Sequence, residues 1–409
     1  MIARRPKLLF VSPQFLFPMD AGGKIRTANI LKNMKGGAFE IDLIAPATDE
    51  EQGQWSEEIT LLCDNFTAFA PDISGMRRQV ARFFSLASSL PVAVRSEARP
   101  AARFAVHEAL LRKPDLVIYD YVHAMAMMPE EKSSDGPPPH KKMFFAHNVE
   151  TEIFRRHHAL TKGLKRLIWG GEAKKMHRFE QSAVSKVDGV IAVSARDAAM
   201  FRDDFGADYA ADIPTGVDLD FFAWKPPAQN EPPEIVFTGS LDWRANQDGL
   251  FWFMNEVWPL IIEQIPDVRF RIIGKNPPDH LVNAAKEKNF QWDFTGFVDD
   301  IRDHAYGDVY VIPLRAGGGT RIKTFEAMAM GVPVVSTGIG VEGLDVKAGE
   351  HFIQGDDPSS FAQGVVEILR DREKGLALSK TARKLCEDNF SQKSVAEKFE
   401  TICLDILNS

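Results

Sequence analysis

Val309-Tyr310-Val311-Ile312-Pro313-Leu314-Arg315-Ala316-Gly317-Gly318-Gly319-Thr320-Arg321-Ile322-Lys323-Thr324-Phe325-Glu326-Ala327-Met328-Ala329-Met330-Gly331-Val332-Pro333-Val334-Val335 is the stretch whose reading decides the fold. A short apolar run feeds a triple-glycine loop, a helix of about three turns follows, and a second buried strand begins after Gly331. Three glycines are a poor choice unless the backbone bends sharply or lies against something. Beside the positive end of a helix, their amides make a nest for an anion. Arg321 and Lys323 stand in the first helical turn, where the dipole disfavours cations. A bound diphosphate reverses that sign, because each charge-assisted hydrogen bond is worth about 1.5–3 kcal/mol. Glu326, further along, is placed to accept hydrogen bonds from ribose hydroxyls.

The same grammar extends in both directions. Apolar runs bounded by turn residues recur at Leu8–Val11, Ile41–Ala45, Leu116–Tyr119, Met143–Ala146 and Val190–Val193, with helical spacing between them. It resumes with Ile235–Thr238, Phe270–Ile273, Phe294–Thr295, Val309–Ile312 and Val332–Ser336. The expectation is an α/β chain of two doubly wound domains, as 409 residues already suggest. The proline-rich stretch Lys225–Pro233 reads as the connection, giving an N-terminal domain over 1–222, a linker over 223–233 and a C-terminal domain over 234–389.

A formal net charge of -8 argues against a protein that coats nucleic acid. Cys63, Cys386 and Cys403 lie far apart and form neither a disulfide framework nor a zinc motif. No signal-peptide core and no apolar run of membrane-spanning length is found, so the expected location is the cytoplasm.

In the first half the loop after Leu8–Ser12 ends in Gly22-Gly23, just before a helix that begins near Lys24. Such a pair lets a ligand approach the backbone, or simply makes a tight turn. The strand Met143–Ala146 ends in His147-Asn148, and residues beyond strand carboxyl ends point to the ligand crevice of doubly wound folds. His147 is therefore a candidate proton-handling or hydrogen-bonding group. Asp120 and Glu150 are candidate bases, and Glu342 lies in the loop after Val332–Ser336.

Three segments carry a resemblance to the retaining GT-B glycosyltransferases of family 4, also called group 1. They are Gly318–Thr337, Asp188–Ser194 and Ile213–Asp218. The resemblance implies two Rossmann-like domains facing across a cleft, with the C-terminal helix, 390–409, crossing back to an acceptor-binding N-domain. It implies transfer of a sugar, with retention, from a UDP- or GDP-sugar held mainly by the C-domain. The family's donor-binding Glu falls on Glu326, its active-site His on His147, and its glycine-rich first loop on Gly22 and Gly23. The site is completed by Gly318, Gly319, Thr320, Arg321 and Lys323, with Ser240, Asn246 and Glu342 as further donor contacts. No cofactor and no metal are expected.

Two departures stand out. The family's Glu-x7-Glu pattern would put its first carboxylate at Gly318, and Ser240 and Asn246 occupy the places where many members have an Arg and a Lys for the diphosphate. Arg321 and Lys323 are then the expected replacement, and Asp242 and Arg244 stand near the same place. Residues 76–86 and 162–169 mix cations with apolar residues at helical spacing, which suits an anionic membrane surface or a solvated helix face. Surface binding would make the enzyme peripheral on the inner face of the membrane, with a lipid-linked acceptor in polysaccharide or glycolipid synthesis. A nucleotide-sugar 2-epimerase and a nucleotide-sugar-binding pseudoenzyme scaffold are the competing readings.

Overall fold

The computed structural model describes residues 4–71, 88–95, 97–129, 140–316 and 321–409. The chain divides into two compact units, Met1–Pro214 with Val395–Ser409, and Thr215–Ser394.

The first unit holds a seven-stranded parallel sheet in the order β3-β2-β1-β4-β5-β6-β7. Its strands are β1 (Lys7–Val11), β2 (Glu40–Pro46), β3 (Asn65–Phe69), β4 (Leu116–Asp120), β5 (Lys141–Ala146), β6 (Gly189–Ala192) and β7 (Ala210–Asp212). The central strands are apolar almost without interruption because helices cover both faces. Thus Leu8 and Phe10 enter one core, and Leu9 and Val11 the other. The second unit repeats the design with six parallel strands, β10-β9-β8-β11-β12-β13. These are β8 (Glu234–Thr238), β9 (Arg269–Ile273), β10 (Trp292–Gly296), β11 (Val309–Ile312), β12 (Val334–Ser336) and β13 (Ile353–Gln354).

In both sheets the order in which strands are added reverses once, between β1 and β4 and between β8 and β11. Ligands of doubly wound folds bind beyond the strand carboxyl ends at such a switch point. Each unit therefore offers one such place.

Two boundaries differ from the sequence reading. The first unit ends at Pro214, not 222, and regains the chain at Val395, not 390. The stretch 223–233 is not a free linker: it is bound into the second unit. Trp224 donates to Ser379 Oγ at 2.9 Å, and the Asp308 carboxylate accepts the Asn230 and Glu234 amides at 3.1 and 2.8 Å. The final helix, Gln392–Asn408, does return to the first unit, where Phe399, Ile402, Cys403 and Ile406 complete the core beneath β1 and β2.

Candidate functional site

At the second unit's switch point two helices begin side by side, Arg244–Trp252 after β8 and Ile322–Met330 after β11. Each is expected there, since each follows a strand and a polar turn. The second ends because Gly331 adopts φ +87°, and a Cβ at that position would lie 2.3 Å from the Lys225 carbonyl. Lys323, in the first turn, sends its ammonium across to the other helix: Nζ donates to Asn246 Oδ1 and to the Thr238 carbonyl, both at 3.3 Å. The same ammonium sits 4.4 Å above the Phe237 ring. Asn246 is itself held, donating to the Ser240 carbonyl at 2.8 Å.

Burial, together with the neighbouring Arg321 charge, brings the Lys323 ammonium down to about 7, while Glu326 opposes the shift. Burial also lifts the Glu326 carboxyl to about 7, against the pull of Lys323. Neither charge is comfortable without a further partner.

Arg321 is buried and donates from Nε to the Ile339 carbonyl at 3.1 Å, with Glu342 exposed nearby as a favourable charge. Arg315, just before the glycine loop, makes a two-pronged ion pair with Asp248 at 3.0 and 3.1 Å. Ser240 donates to Asp242 at 2.7 Å, and Arg244 is exposed. Gly317, Gly318, Gly319 and Thr320 lie outside the described residues, as does the 76–86 patch.

The first unit's switch point carries a more closed cluster. His147 follows β5 and its side chain is 2% exposed. Its Nε2 lies 2.7 Å from Asp120 Oδ1, and its Nδ1 3.0 Å from a guanidinium nitrogen of Arg26. Thr27 and Ser12 hydroxyls reach the other Asp120 oxygen at 3.1 and 3.4 Å. Tyr121 stacks on the imidazole with 3.8 Å between ring centres, and Phe145 covers another side at 4.4 Å. Tyr121 holds φ +61°, a strained value for a bulky side chain.

The two glycines of the first loop have different reasons. Gly22 has nothing within 4 Å of an added Cβ, whereas at Gly23 that atom would fall 1.4 Å from the Tyr121 hydroxyl. Gly23 thus makes room for Tyr121. Glu150 opens the next helix, Glu150–Leu160, whose first amides donate to the buried Glu180 carboxylate at 2.7 and 2.8 Å.

Sequence reading brought out His147 with Asp120, and Lys323 with Asn246, but not Arg26, Thr27 and Tyr121. Arg26, Thr27 and Tyr121 lie in ordinary-looking helical contexts, and only the fold turns them toward His147. Position after β4 was the one available signal, and it marked Asp120.

Residues 232–371 match the family described as glycosyl transferases group 1. An uncharacterised 44.6 kDa protein in the cps region of Klebsiella pneumoniae is 22% identical over 405 residues, 95% of this chain and 97% of that protein. The phosphatidyl-myo-inositol mannosyltransferase of Mycobacterium tuberculosis is 27% identical over 261 residues, 60% of this chain and 66% of the relative. Among solved structures, a glycosyltransferase from Rickettsia africae superposes with a TM-score of 0.64 at 13% identity, covering 99% of this chain and 100% of that one. The architecture is thus the two-domain α/β fold of GT-B glycosyltransferases.

Proposed function

We propose that this chain, whose residues 232–371 match the family described as glycosyl transferases group 1, is a retaining glycosyltransferase that moves a sugar from a UDP- or GDP-sugar to a sugar or lipid-linked acceptor. The observation that carries the reading is the Lys323 ammonium resting on Asn246 and the Thr238 carbonyl. The family resemblance implies a lysine near the Asn246 position; here a cation reaches the same place from a different helix. Lys323 and Arg321 then supply the counter-charge for the leaving diphosphate, as preorganised stabilisation that needs no metal ion. Glu326 accepts the ribose hydroxyls. Ser240, Asn246 and Glu342 border the donor.

Transfer proceeds on one face of the sugar. The bond from the anomeric carbon to the diphosphate oxygen breaks, the acceptor oxygen bonds to that carbon from the same side, and the leaving phosphate takes the acceptor proton. Melting the protein with UDP, GDP, ADP and TDP and their sugars tests the reading, since a ligand at a hundred times its Kd stabilises by about 2.7 kcal/mol. The anomeric configuration of the product and its yield in EDTA test retention and metal independence. If no nucleotide raises the melting temperature, the proposal fails.

The acceptor side rests on the first unit. Among the described residues, no helix is long and apolar enough to cross a membrane. At the start of the helix Leu164–Val184, however, Lys165 and Arg166 are exposed beside Leu167, 72% exposed, and Ile168. This mixture suits peripheral attachment to an anionic inner leaflet and a role in polysaccharide or glycolipid synthesis. The mycobacterial relative is named for a phosphatidyl-myo-inositol acceptor, which supports a lipid-linked one here. Sedimentation with phosphatidylglycerol vesicles, compared with phosphatidylcholine, checks the attachment; binding to neither, or equal binding to both, would remove it.

A further inference from the structure

The His147 ring is enclosed on every side that chemistry could use. Tyr121 and Phe145 cover it, and both nitrogens have partners, Asp120 at Nε2 and Arg26 at Nδ1. A guanidinium carries only donors, so the Nδ1 atom facing Arg26 must offer its lone pair. The ring proton then sits on Nε2 and is donated to Asp120. These two contacts agree on one tautomer and leave no site for a second proton.

We propose that Arg26 is a positioning residue for His147: it occupies the Nδ1 lone pair, holds the ring as the neutral Nε2–H tautomer on Asp120, and makes His147 a fixed platform beneath Tyr121 instead of a proton carrier. The proposal deepens the glycosyltransferase reading, and for its kinetic consequence it rests on that reading. The charged and titratable groups around the ring are Arg26 from the helix Gly22–Met34, Asp120 from β4 and Tyr121 from the following turn, with Glu150, at the start of the helix after β5, acting on Tyr121. Burial and Arg26 disfavour the imidazolium, whereas Asp120 favours it. Removing Arg26 therefore leaves a buried carboxylate facing a ring whose second nitrogen has become open to protonation.

Tyr121 gains its role from the same arrangement. It is half-buried, its hydroxyl lies over Gly23, and it is the aromatic face that the enclosed imidazole holds in place. A His147 that changed charge would alter the surface on which Tyr121 rests.

The test is nitrogen-15 NMR of the full chain labelled at its ten histidines, with His147 assigned from the spectrum of His147→Gln. The expected wild-type spectrum has a bare Nδ1 and a protonated Nε2, with no titration of this ring between pH 5.5 and 8. A protonated Nδ1, or a ring that titrates in that window, overturns the proposal. In Arg26→Met the ring should titrate inside the window, and Arg26→Lys, which keeps a cationic donor, should restore the wild-type pattern. If Arg26→Met retains the unprotonated Nδ1 throughout, Arg26 is not what holds it. Should Arg26→Met fail to fold, the wild-type and Arg26→Lys spectra still decide the tautomer.

The pH profile of UDP-glucose or GDP-mannose hydrolysis adds a readout that a merely structural role would not move. Wild type should show no limb near pH 6.5, and Arg26→Met should gain one with at least a threefold change in rate across it. A wild-type limb assigned to His147 by its loss in His147→Gln also overturns the proposal. A chain that hydrolyses neither nucleotide sugar counts against the glycosyltransferase reading, whereas the NMR result stands by itself.

Discussion

At the scale of single residues, Lys323 and Glu326 are two buried groups shifted in opposite directions, and the proposed donor site can be tested on them. Lys323 titrates at about 7 in the folded protein, below its ordinary 10.5, so between those values the unfolded chain binds more protons and stability rises with pH. Glu326 also titrates at about 7, above its ordinary 4.5, so between 4.5 and 7 the folded chain binds more protons and stability falls as pH rises. A diphosphate favours the ammonium, so its binding at pH 8 should take up a proton. Calorimetry with UDP in HEPES and in Tris measures that uptake from the difference in apparent enthalpy. In Lys323→Met most of the uptake should vanish and affinity should fall about tenfold to a hundredfold, the equivalent of one charge-assisted hydrogen bond. Equal uptake in both proteins would remove Lys323 from the site. Gly23 makes a second case at this scale. Gly23→Ala must displace the Tyr121 hydroxyl, which an added Cβ would meet at 1.4 Å, and should destabilise by about 1–3 kcal/mol. Gly22→Ala meets nothing and should stay within about 0.5 kcal/mol in the same thermal melts. Equal melting temperatures for the two variants would contradict the packing.

At the scale of elements, the helix Glu150–Leu160 starts directly after the His147 turn, and its opening amides are satisfied by Glu180 from the helix Leu164–Val184. Burial lifts this carboxyl to about 7 in spite of the hydrogen bonds it accepts. The folded chain therefore keeps a proton that the unfolded chain loses above about 4.5, and wild-type stability from this group falls as pH rises from 4.5 to 7. Glu180→Gln cannot titrate and turns an amide donor toward one backbone N–H, at about 1–3 kcal/mol. The stability gap between the two proteins, read by urea unfolding, should be widest near pH 5 and narrow toward pH 8; a gap that widens instead would reverse the assigned sign. Elements of this kind differ in how far sequence exposes them. β1, β4, β5, β8 and β11 are buried on both faces, and their unbroken apolar runs were readable. β3, β7 and β13 escaped notice because edge strands are short and half-exposed; Ala210–Asp212 is only Ala-Ala-Asp. The candidate site divides along the same line. His147 and Lys323 stand where local pattern points, after a strand and in a helix's first turn. Arg26 reaches His147, and Asn246 meets Lys323, across separations of 121 and 77 residues, and composition carries no trace of either meeting. The proline-rich 223–233 failed as a linker for the same reason, since its anchors, Asp308 and Ser379, come from remote parts of the chain.

At the scale of the whole molecule, the chain leaves the first unit at Pro214 and returns to it only at Val395, so the last fifteen residues finish a core that the first two hundred began. Phe399 meets Phe145 edge to face at 5.1 Å, and Glu400 accepts the Ala38 amide at 2.7 Å. Phe399 is fully buried, and Phe399→Ala should destabilise the first unit by about 3–5 kcal/mol. Removing the helix is more severe. Phe399, Ile402 and Ile406 each contribute about 1.5–3 kcal/mol through burial, and their sum approaches the whole stability of about 5–15 kcal/mol that a domain possesses. A chain ending at Ser394 should therefore lose its first unit while keeping its second, because the latter closes at that residue. Limited proteolysis with mass spectrometry should yield a protected fragment that starts near Thr215. The proposed donor residues Lys323, Arg321 and Glu326 all lie in that fragment, so under the proposed function UDP or GDP should still raise its melting temperature although sugar transfer is gone. If the first unit remains protease-resistant without the helix, its core does not need Phe399, Ile402 and Ile406. If the protected fragment no longer responds to any nucleotide that stabilises the full chain, donor recognition is not confined to the second unit.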